Sequence, residues 1–385
     1  MQSYDVIVLG AGGVGSAALY ELARRGVRAL GIDRFHPPHD HGSSHGQSRV
    51  FRQAYFEHPD YVPLLKESYR LWRELESAAG RLLFHEIGLL EVGPADGEVV
   101  PGVLRAAATH GLEVDPMAAC EIERRWPGLS VPENLVGVFE RGAGYLLVED
   151  CVAANLEAAV AAGATLLANT IVHDWKADER GVVVRTSAGD FETQHLILAA
   201  GSWSDKLWTG RLSDQSAPRV NFPALSVRRK SLFWFATDSP RYDVAAGFPV
   251  YLFELPAGVF YGFPRLDGRS VKVAEHTGGR PVDDPANVDR TIDPDEQRRL
   301  ESFLAAHLPD VSSRVVDHAV CLYTMSPDEH FIVDRHPQHA DVVFAAGLSG
   351  HGFKFTPVLG RALADLALDG STSLPIDFLS LGRFG

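Results

Sequence analysis

Three glycines are the first residues from the N-terminus whose spacing could do chemistry. Gly10, Gly12 and Gly15 stand as G-x-G-x-x-G. In that pattern the first glycine permits a tight turn, the second lets a pyrophosphate approach the backbone, and the third lets a helix pack closely on a strand. Free N–H groups at the start of the helix, with its dipole, would hold the phosphates. Asp33 stands where a carboxylate would accept ribose hydroxyls, with Arg34 beside it. The next stretch, "FHPPHDHGSSHGQSRVFR" from Phe35 to Arg52, packs His36, His39, His41 and His45 into ten residues and ends in Arg49 and Arg52. So dense a set of imidazoles could hold a metal. The stretch follows Asp33 almost directly, which favours another reading: a chain running along a dinucleotide, with Pro37, Pro38, Gly42 and Gly46 making its turns. Its histidines then serve hydrogen bonding and packing, and no metal is expected.

These residues need elements to hold them. Asp5 to Leu9 is a short apolar run suited to a buried parallel strand. A helical pattern follows from Ala17 to Arg25, stopped by Gly26, and a second apolar run from Val27 to Ile32 leads into Asp33. Strand, glycine turn, helix, strand and acid occur in register, which lifts the glycine motif above a chance match. The motif alone does not separate NAD from FAD. Two later segments look like parts of the same unit. A strand from Leu196 to Ala199 breaks at Gly201. Another from Val342 to Ala346 runs into Gly347, Gly350 and Gly352 and then a helix from Thr356 to about Leu368, again suited to a phosphate or a ring carbonyl. Residues 85–140 and 217–320 are instead rich in short alternating runs such as "SLFWFA", "VFYGF" and "VKVAEH", which read as antiparallel strands. The nucleotide domain is therefore expected to be discontinuous, over 1–84, 145–216 and 321–385, with a β-rich domain over 85–144 and 217–320. The amphipathic stretch from Tyr61 to Leu75 reads as a core-facing helix in which Trp72 packs.

Bulk properties limit the partners. The 36 lysines and arginines against 50 aspartates and glutamates leave a formal charge of −14, which argues against nucleic acid and membrane surfaces as partners. Cys120, Cys151 and Cys321 are odd in number and match no zinc or disulfide spacing, so free thiols in a reducing compartment are expected. The apolar run after Tyr4 is broken by glycines and is no membrane span. No targeting segment is visible, and a cytoplasmic protein is expected.

Across nearly its whole length the chain resembles the FAD-dependent amine oxidases of the monomeric sarcosine oxidase and N-methyltryptophan oxidase family, within the D-amino-acid-oxidase-like superfamily. The resemblance rests on separated blocks in order: "GAGGVGSAALYELARRG", "HPPHDHGSSHGQSRVFRQAY", "RWPGLSVPEN", "GVFYGFP", "VKVAEHTGG", "AVCLYTMSPDEHFIVD" and "GLSGHGFKF". It implies a mixed α/β (α+β) fold, with a Rossmann-like FAD-binding domain and an inserted antiparallel β-sheet substrate domain. It implies that Cys321 forms a thioether to the flavin and that Arg52 and Lys354 hold the substrate carboxylate. Tyr261 and Tyr323 match positions lining the substrate cavity, and Arg49 and His45 match residues packed on the flavin. Ser44 and Lys354 fall among the cofactor's neighbours. Lys272 matches a lysine placed against the flavin ring and implicated in reaction with oxygen. On a strand, Lys272, Ala274 and His276 would share one face, so His276 would share that cavity.

The chain also departs from the family. Gln47-Ser48 stands where Asp-Thr is common, Phe51 is bulkier than usual, Glu275 precedes His276, and residues 205–245 match poorly. The exact amine therefore stays open, while the reaction class does not. The expected reaction is oxidation of the C–N bond of a secondary, N-methyl amino acid to an imine. The imine hydrolyses to an aldehyde and a primary amine, and O2 is reduced to H2O2. Sarcosine is the first substrate expected; N-methyltryptophan and cyclic imino acids such as pipecolate or proline are alternatives. A flavin dehydrogenase with another electron acceptor, an NAD-dependent dehydrogenase and a metal-binding protein are the rivals. A monomer is expected.

Overall fold

The computed structural model describes residues 1–208 and 222–385. The domain boundary expected at 216–217 lies outside the described residues. Two large sheets organise the rest. The eight-stranded sheet carries Gln2–Leu9 at its centre, with Ala29–Ile32 and Gly189–Leu198 parallel to it on either side and His339–Ala346 parallel to Gly189–Leu198. Successive residues of the first strand go to opposite cores. Val6 and Val8 pack beneath the helices Gly13–Arg24 and Thr356–Asp369, while Ile7 and Leu9 join Trp175, Trp208 and Phe344 on the other side. Burial on both faces is what made this strand read as a continuous apolar run.

The helix Gly13–Arg24 begins four residues before the expected Ala17. Glycines have poor helix propensity, so the sequence pattern placed the start too late. Here closeness outweighs propensity: a Cβ on Gly15 would sit 1.7 Å from the Gly10 carbonyl oxygen. The second strand, Ala29–Ile32, is correspondingly shorter than the expected Val27 to Ile32.

A nine-stranded sheet forms the second layer system. It takes Leu89–Pro94, Asp115–Ala118 and Leu135–Glu140 from one insertion, and Ser226–Ala236, Val250–Leu255, Gly258–Gly262, Ser270–Glu275, Arg280–Pro281 and Val315–Met325 from the other. The strand Val315–Met325 runs across the boundary expected between 320 and 321, so this sheet carries Cys321 and Tyr323. A small sheet of Ser48–Phe51, Phe84–Glu86 and Gly144–Leu147 lies where the chain passes between the two regions.

The insertions also hold three helices that their strand-like reading did not include: Val99–His110, Ala119–Arg125 and Pro294–His307. The last had a local signal in "DPDEQ". The Asp293 side chain accepts from the Asp295 N–H at 2.9 Å, and Pro294 takes the first helical position. This helix buries Leu300, Phe303 and Leu304 on one face of the nine-stranded sheet against Phe233, Phe235, Tyr251, Phe253 and Phe260. Burying each such side chain contributes about 1.5–3 kcal/mol. That face is therefore closed by packing, and the opposite face is left for the site.

Candidate active site

A cavity of about 340 Å3 lies against the C-terminal ends of the central parallel strands. Gly10, Gly12, Asp33 and Arg34 line it at the opening βαβ unit, and Ser44 and Arg49 at the histidine-rich stretch. Gly201, Gly347, Gly350 and Gly352 complete the wall, with Tyr323 from the second sheet. Gly10 (φ +90°) could carry no side chain, because a Cβ there would lie 2.5 Å from the Ala199 carbonyl oxygen. Gly350 (φ +82°) lies flat against the Tyr323 ring, where a Cβ would meet it at 2.2 Å. The helix Gly13–Arg24 starts at this wall, and so does Thr356–Asp369 after its glycine turn. Two helix N-termini thus converge on one cavity, an arrangement suited to phosphates.

The wall fits FAD. Asp33 is held in place by the Ala11 and Phe35 N–H groups at 2.7 and 2.9 Å and keeps lone pairs for a ribose. The Ser44 hydroxyl accepts from the Gly13 N–H at 3.0 Å and anchors the loop on the helix start. The Thr356 hydroxyl and the Trp203 indole N–H, both in the wall, are buried without a partner among the described residues. Buried polar groups ordinarily find partners, so these two are left for a bound group. Gly15, His45, Cys321 and Lys354 are not part of this wall.

The four histidines scatter. His36 is exposed, His39 lies 3.2 Å from an Asp33 carboxylate oxygen, and His41 stacks on Phe35 with ring centroids 3.9 Å apart. His45 is buried near Arg49, and burial first, then Arg49, pushes its pKa down to about 3. Among the described residues no three potential ligands gather as a metal site.

Strand register gathers the remaining candidates on the open face of the nine-stranded sheet. Tyr261 pairs with Ala274, and Ala274 pairs with Leu232. Lys272 lies two residues from Ala274, and His276 follows the strand on the other side. On the neighbouring strand Cys321 pairs with Lys230, and Tyr323 lies two residues further on. Directly opposed residues share a face, and so do residues two apart. Lys272 is 1% exposed and donates to Gly46 O at 2.6 Å, Ser48 O at 2.8 Å and Ser48 Oγ at 3.3 Å. Three acceptors match the three hydrogens of an ammonium, while burial and then Arg49 press its pKa well down. His276 lies 3.4 Å from the Tyr323 hydroxyl; burial and then Lys230 bring its pKa to about 3, so it is neutral at physiological pH. Arg49 joins this face to the cavity. Its guanidinium donates to Ser43 O at 3.0 Å and reaches Cys321 Sγ at 3.1 Å.

Arg52 and Lys354 meet in a separate buried cluster. Arg52 lies between the rings of Tyr55 and Phe56, 4.4 and 4.2 Å from their centroids. Its Nη2 donates to Glu57 at 2.6 Å, and its Nη1 stands 3.2 Å from Glu91. Lys354 donates to His351 O at 2.8 Å and sits 5.1 Å from the centre of the Tyr55 ring. Burial and then Arg52 lower its pKa to about 7, against the pull of Glu57 and Glu91. Trp72 does more than pack, since its indole donates to the Lys354 carbonyl at 3.1 Å.

Several residues of the site carried no signal in the sequence. Glu149 accepts from the Gly46 and Gln47 N–H groups at 2.6 and 3.1 Å and so holds the loop beneath Lys272. Gln47, marked in the sequence only as a departure from the family, takes a left-handed backbone (φ +72°) and accepts from the Trp234 indole at 2.9 Å. Lys230 is the exception. Counting back by twos from Trp234 places it on the open face, where it donates to Thr277 O at 2.5 Å. Two of the departures from the family turn away from the site. Phe51 packs on Phe84, and Glu275 faces the helix-covered side and pairs with Arg299.

The pattern of the FAD dependent oxidoreductase family matches residues 5–366. The chain is 39% identical to a monomeric sarcosine oxidase of Arthrobacter sp. (strain TE1826), over 99% of this chain and 97% of that one. It is 36% identical to an N-methyl-L-tryptophan oxidase of Salmonella dublin, over 99% of both. Among solved structures it is similar to the open form of NikD, an unusual amino acid oxidase essential for nikkomycin biosynthesis. The TM-score there is 0.85 at 29% identity, with 99% of this chain and 98% of that chain covered.

Proposed function

The chain belongs to the FAD dependent oxidoreductases, and on that premise we propose that it oxidises small secondary, N-methyl amino acids with O2 as acceptor. One observation carries this reading. Lys272, His276, Tyr261, Tyr323 and Cys321 share the open face of one sheet, and Arg49 ties that face to the dinucleotide cavity. Sarcosine is the first substrate to test, since relatives named for sarcosine and N-methyltryptophan oxidation match over nearly the full length.

Bound FAD supplies a two-electron acceptor for hydride from the carbon next to nitrogen, and passes those electrons to O2 to give H2O2. The protein's own groups do the rest. Arg52 and Lys354 hold the carboxylate, the guanidinium as a fork and the ammonium as a point charge. His276, kept neutral, accepts a hydrogen bond at the amine without repelling it, and the Tyr323 hydroxyl beside it orients that contact. The amine nitrogen is then held in its neutral form, the one that can release hydride from its neighbouring carbon. Lys272 holds a proton at Nζ between the Gly46 and Ser48 oxygens as negative charge arrives on oxygen beside it, and its ammonium form favours that arrival. Arg49 keeps its charge although burial opposes it, because a guanidinium's own pKa is so high. Cys321 Sγ would be the group that tethers the flavin ring. The three free thiols and acidic surface accord with a cytoplasmic monomer.

The test is oxygen uptake with sarcosine and peroxide measured together. One H2O2 per primary amine formed is expected. Flavin bleaching by substrate without peroxide would mean a dehydrogenase. No bleaching by any N-methyl or cyclic imino acid would end the reading. Acid precipitation tests the tether: yellow colour should stay in the pellet, and move to the supernatant in Cys321→Ser.

A further inference from the structure

Glu91 is a carboxylate in a place where nothing donates to it. It is 1% exposed, and both its oxygens lack a hydrogen-bond donor among the described residues. Its nearest charge, Arg52 Nη1, is 3.2 Å away but misaligned, and that nitrogen too lacks an acceptor. Register explains its position. Glu91 pairs with Leu252, and Leu252 pairs with Tyr261, so Glu91 lies two strands from Tyr261 on the open, site-bearing face. Its strand neighbours Leu90 and Val92 point to the helix-covered core instead.

Four other charged or titratable groups face it. Arg52 follows the strand Ser48–Phe51, and Glu57 lies in the turn beyond. Glu140 stands on the adjacent strand Leu135–Glu140, and Lys354 comes from the turn before Thr356–Asp369. Glu140 is already occupied: its oxygens take the Gln53 N–H at 2.9 Å and the Ala54 N–H at 3.0 Å. Glu57 holds Arg52 by one edge. The other edge of Arg52, at Nη1, faces Glu91. An ionised Glu91 neutralises that edge, and an incoming carboxylate gains little there. With Glu91 protonated, the positive edge is left over for it.

We propose that Glu91 is the counter-charge of the carboxylate subsite: it must carry a proton whenever a substrate carboxylate is bound, so binding takes up a proton as pH rises. This rests on the assignment of Arg52 and Lys354 to the substrate's carboxylate. Burial, opposed by Arg52 and reinforced by Glu140 and Glu57, raises the Glu91 pKa to about 8. The linkage therefore falls in the working range. Below that pH Glu91 is already neutral and binding is pH-independent with respect to it. Above it, each unit of pH weakens carboxylate binding by about tenfold until the bound-state titration is reached. Glu91 touches no substrate atom in this account; it acts through Arg52 as a positioning residue.

The experiment uses the FAD-loaded enzyme with acetate as probe and acetamide as its neutral counterpart, read by the flavin absorbance shift. Proton uptake is followed with a pH-indicator dye in weak buffer. Wild type should take up protons on binding acetate between pH 8 and 9, and acetamide binding should be flat. Glu91→Gln should bind acetate about tenfold more tightly than wild type at pH 9, with the uptake reduced. Lys354 also titrates in this window, so Lys354→Met is the control. Uptake that persists in Glu91→Gln and vanishes in Lys354→Met assigns the proton to Lys354 and overturns the proposal. Wild type with no uptake overturns it without any variant. If Arg52→Gln and Lys354→Met bind acetate as well as wild type, the subsite assignment itself fails. If they weaken binding while Glu91→Gln changes neither affinity nor pH slope, only Glu91 is wrong.

Discussion

Lysine and arginine residues do different work within a few ångströms of each other here. Lys272 is buried and Arg49 half-buried, and both sit on backbone carbonyls of the 43–48 loop. The guanidinium stays charged under burial because its intrinsic pKa is so high, whereas an ammonium's falls readily. Lys272 is therefore the group that can respond when charge arrives beside it. Lys272→Met should slow reoxidation of reduced enzyme by O2 by about 10²–10³-fold, the usual cost of removing one preorganised charge. Anaerobic reduction by substrate should change far less, and stopped-flow absorbance separates the two half-reactions. Equal losses in both would move Lys272 from oxygen chemistry to a structural role. At this same scale the sequence was legible for residues inside strands and opaque elsewhere. Lys272, His276 and Lys230 could be placed by counting in twos, because a strand's side chains alternate. Glu91 and Glu149 could not, because what marks them is who lies opposite: Glu149 takes the Gly46 N–H from 103 residues away, and Glu91 faces Arg52 across strands.

The helices Gly13–Arg24 and Thr356–Asp369 set the geometry of the cofactor wall between them. They touch at Gly360, where a Cβ would come within 2.6 Å of the Ala18 nitrogen and 2.8 Å of the Ala17 methyl. Gly360→Ala should push the pair apart and cost about 1–3 kcal/mol by overpacking. Thermal unfolding would show a lower midpoint, and flavin content per chain should fall with it because both helix N-termini would shift. An unchanged flavin content at lower stability would mean that the helices pack for stability alone. The open sheet face is an element-scale product too. Val271 and Val273 seal one side under the helix Pro294–His307, which leaves Lys272 and Ala274 on the other. A strand with charge on one face is tolerated only because the other face buries enough apolar area to hold it.

At the scale of the whole molecule acidic residues outnumber basic ones, while several cations gather around the site. The formal charge is −14, yet Arg49, Arg52, Lys230, Lys272 and Lys354 are all buried or nearly so around the site. Such a distribution keeps copies of the chain apart while drawing a small anion inward. Light scattering of the loaded protein should give one chain of 41.9 kDa, with no growth in mass at low ionic strength. A dimer mass would require an apolar contact that overcomes this repulsion. Among the described residues no helix is long and apolar enough to cross a membrane.

Local pattern by itself determined the opening βαβ unit, the glycine turn before Thr356, the β-rich character of the insertions and, through resemblance, the flavin chemistry. These depend on spacing along the chain, which a sequence records directly. Tertiary structure decided that the strand Val315–Met325 carries Cys321 and Tyr323 into the nine-stranded sheet. It decided that Arg52 is already paired, and that Glu91, on a neighbouring strand, lies behind it without a donor. Charge balance in a buried cluster depends on distances across strands and on lost solvent, and neither quantity is written in the order of residues.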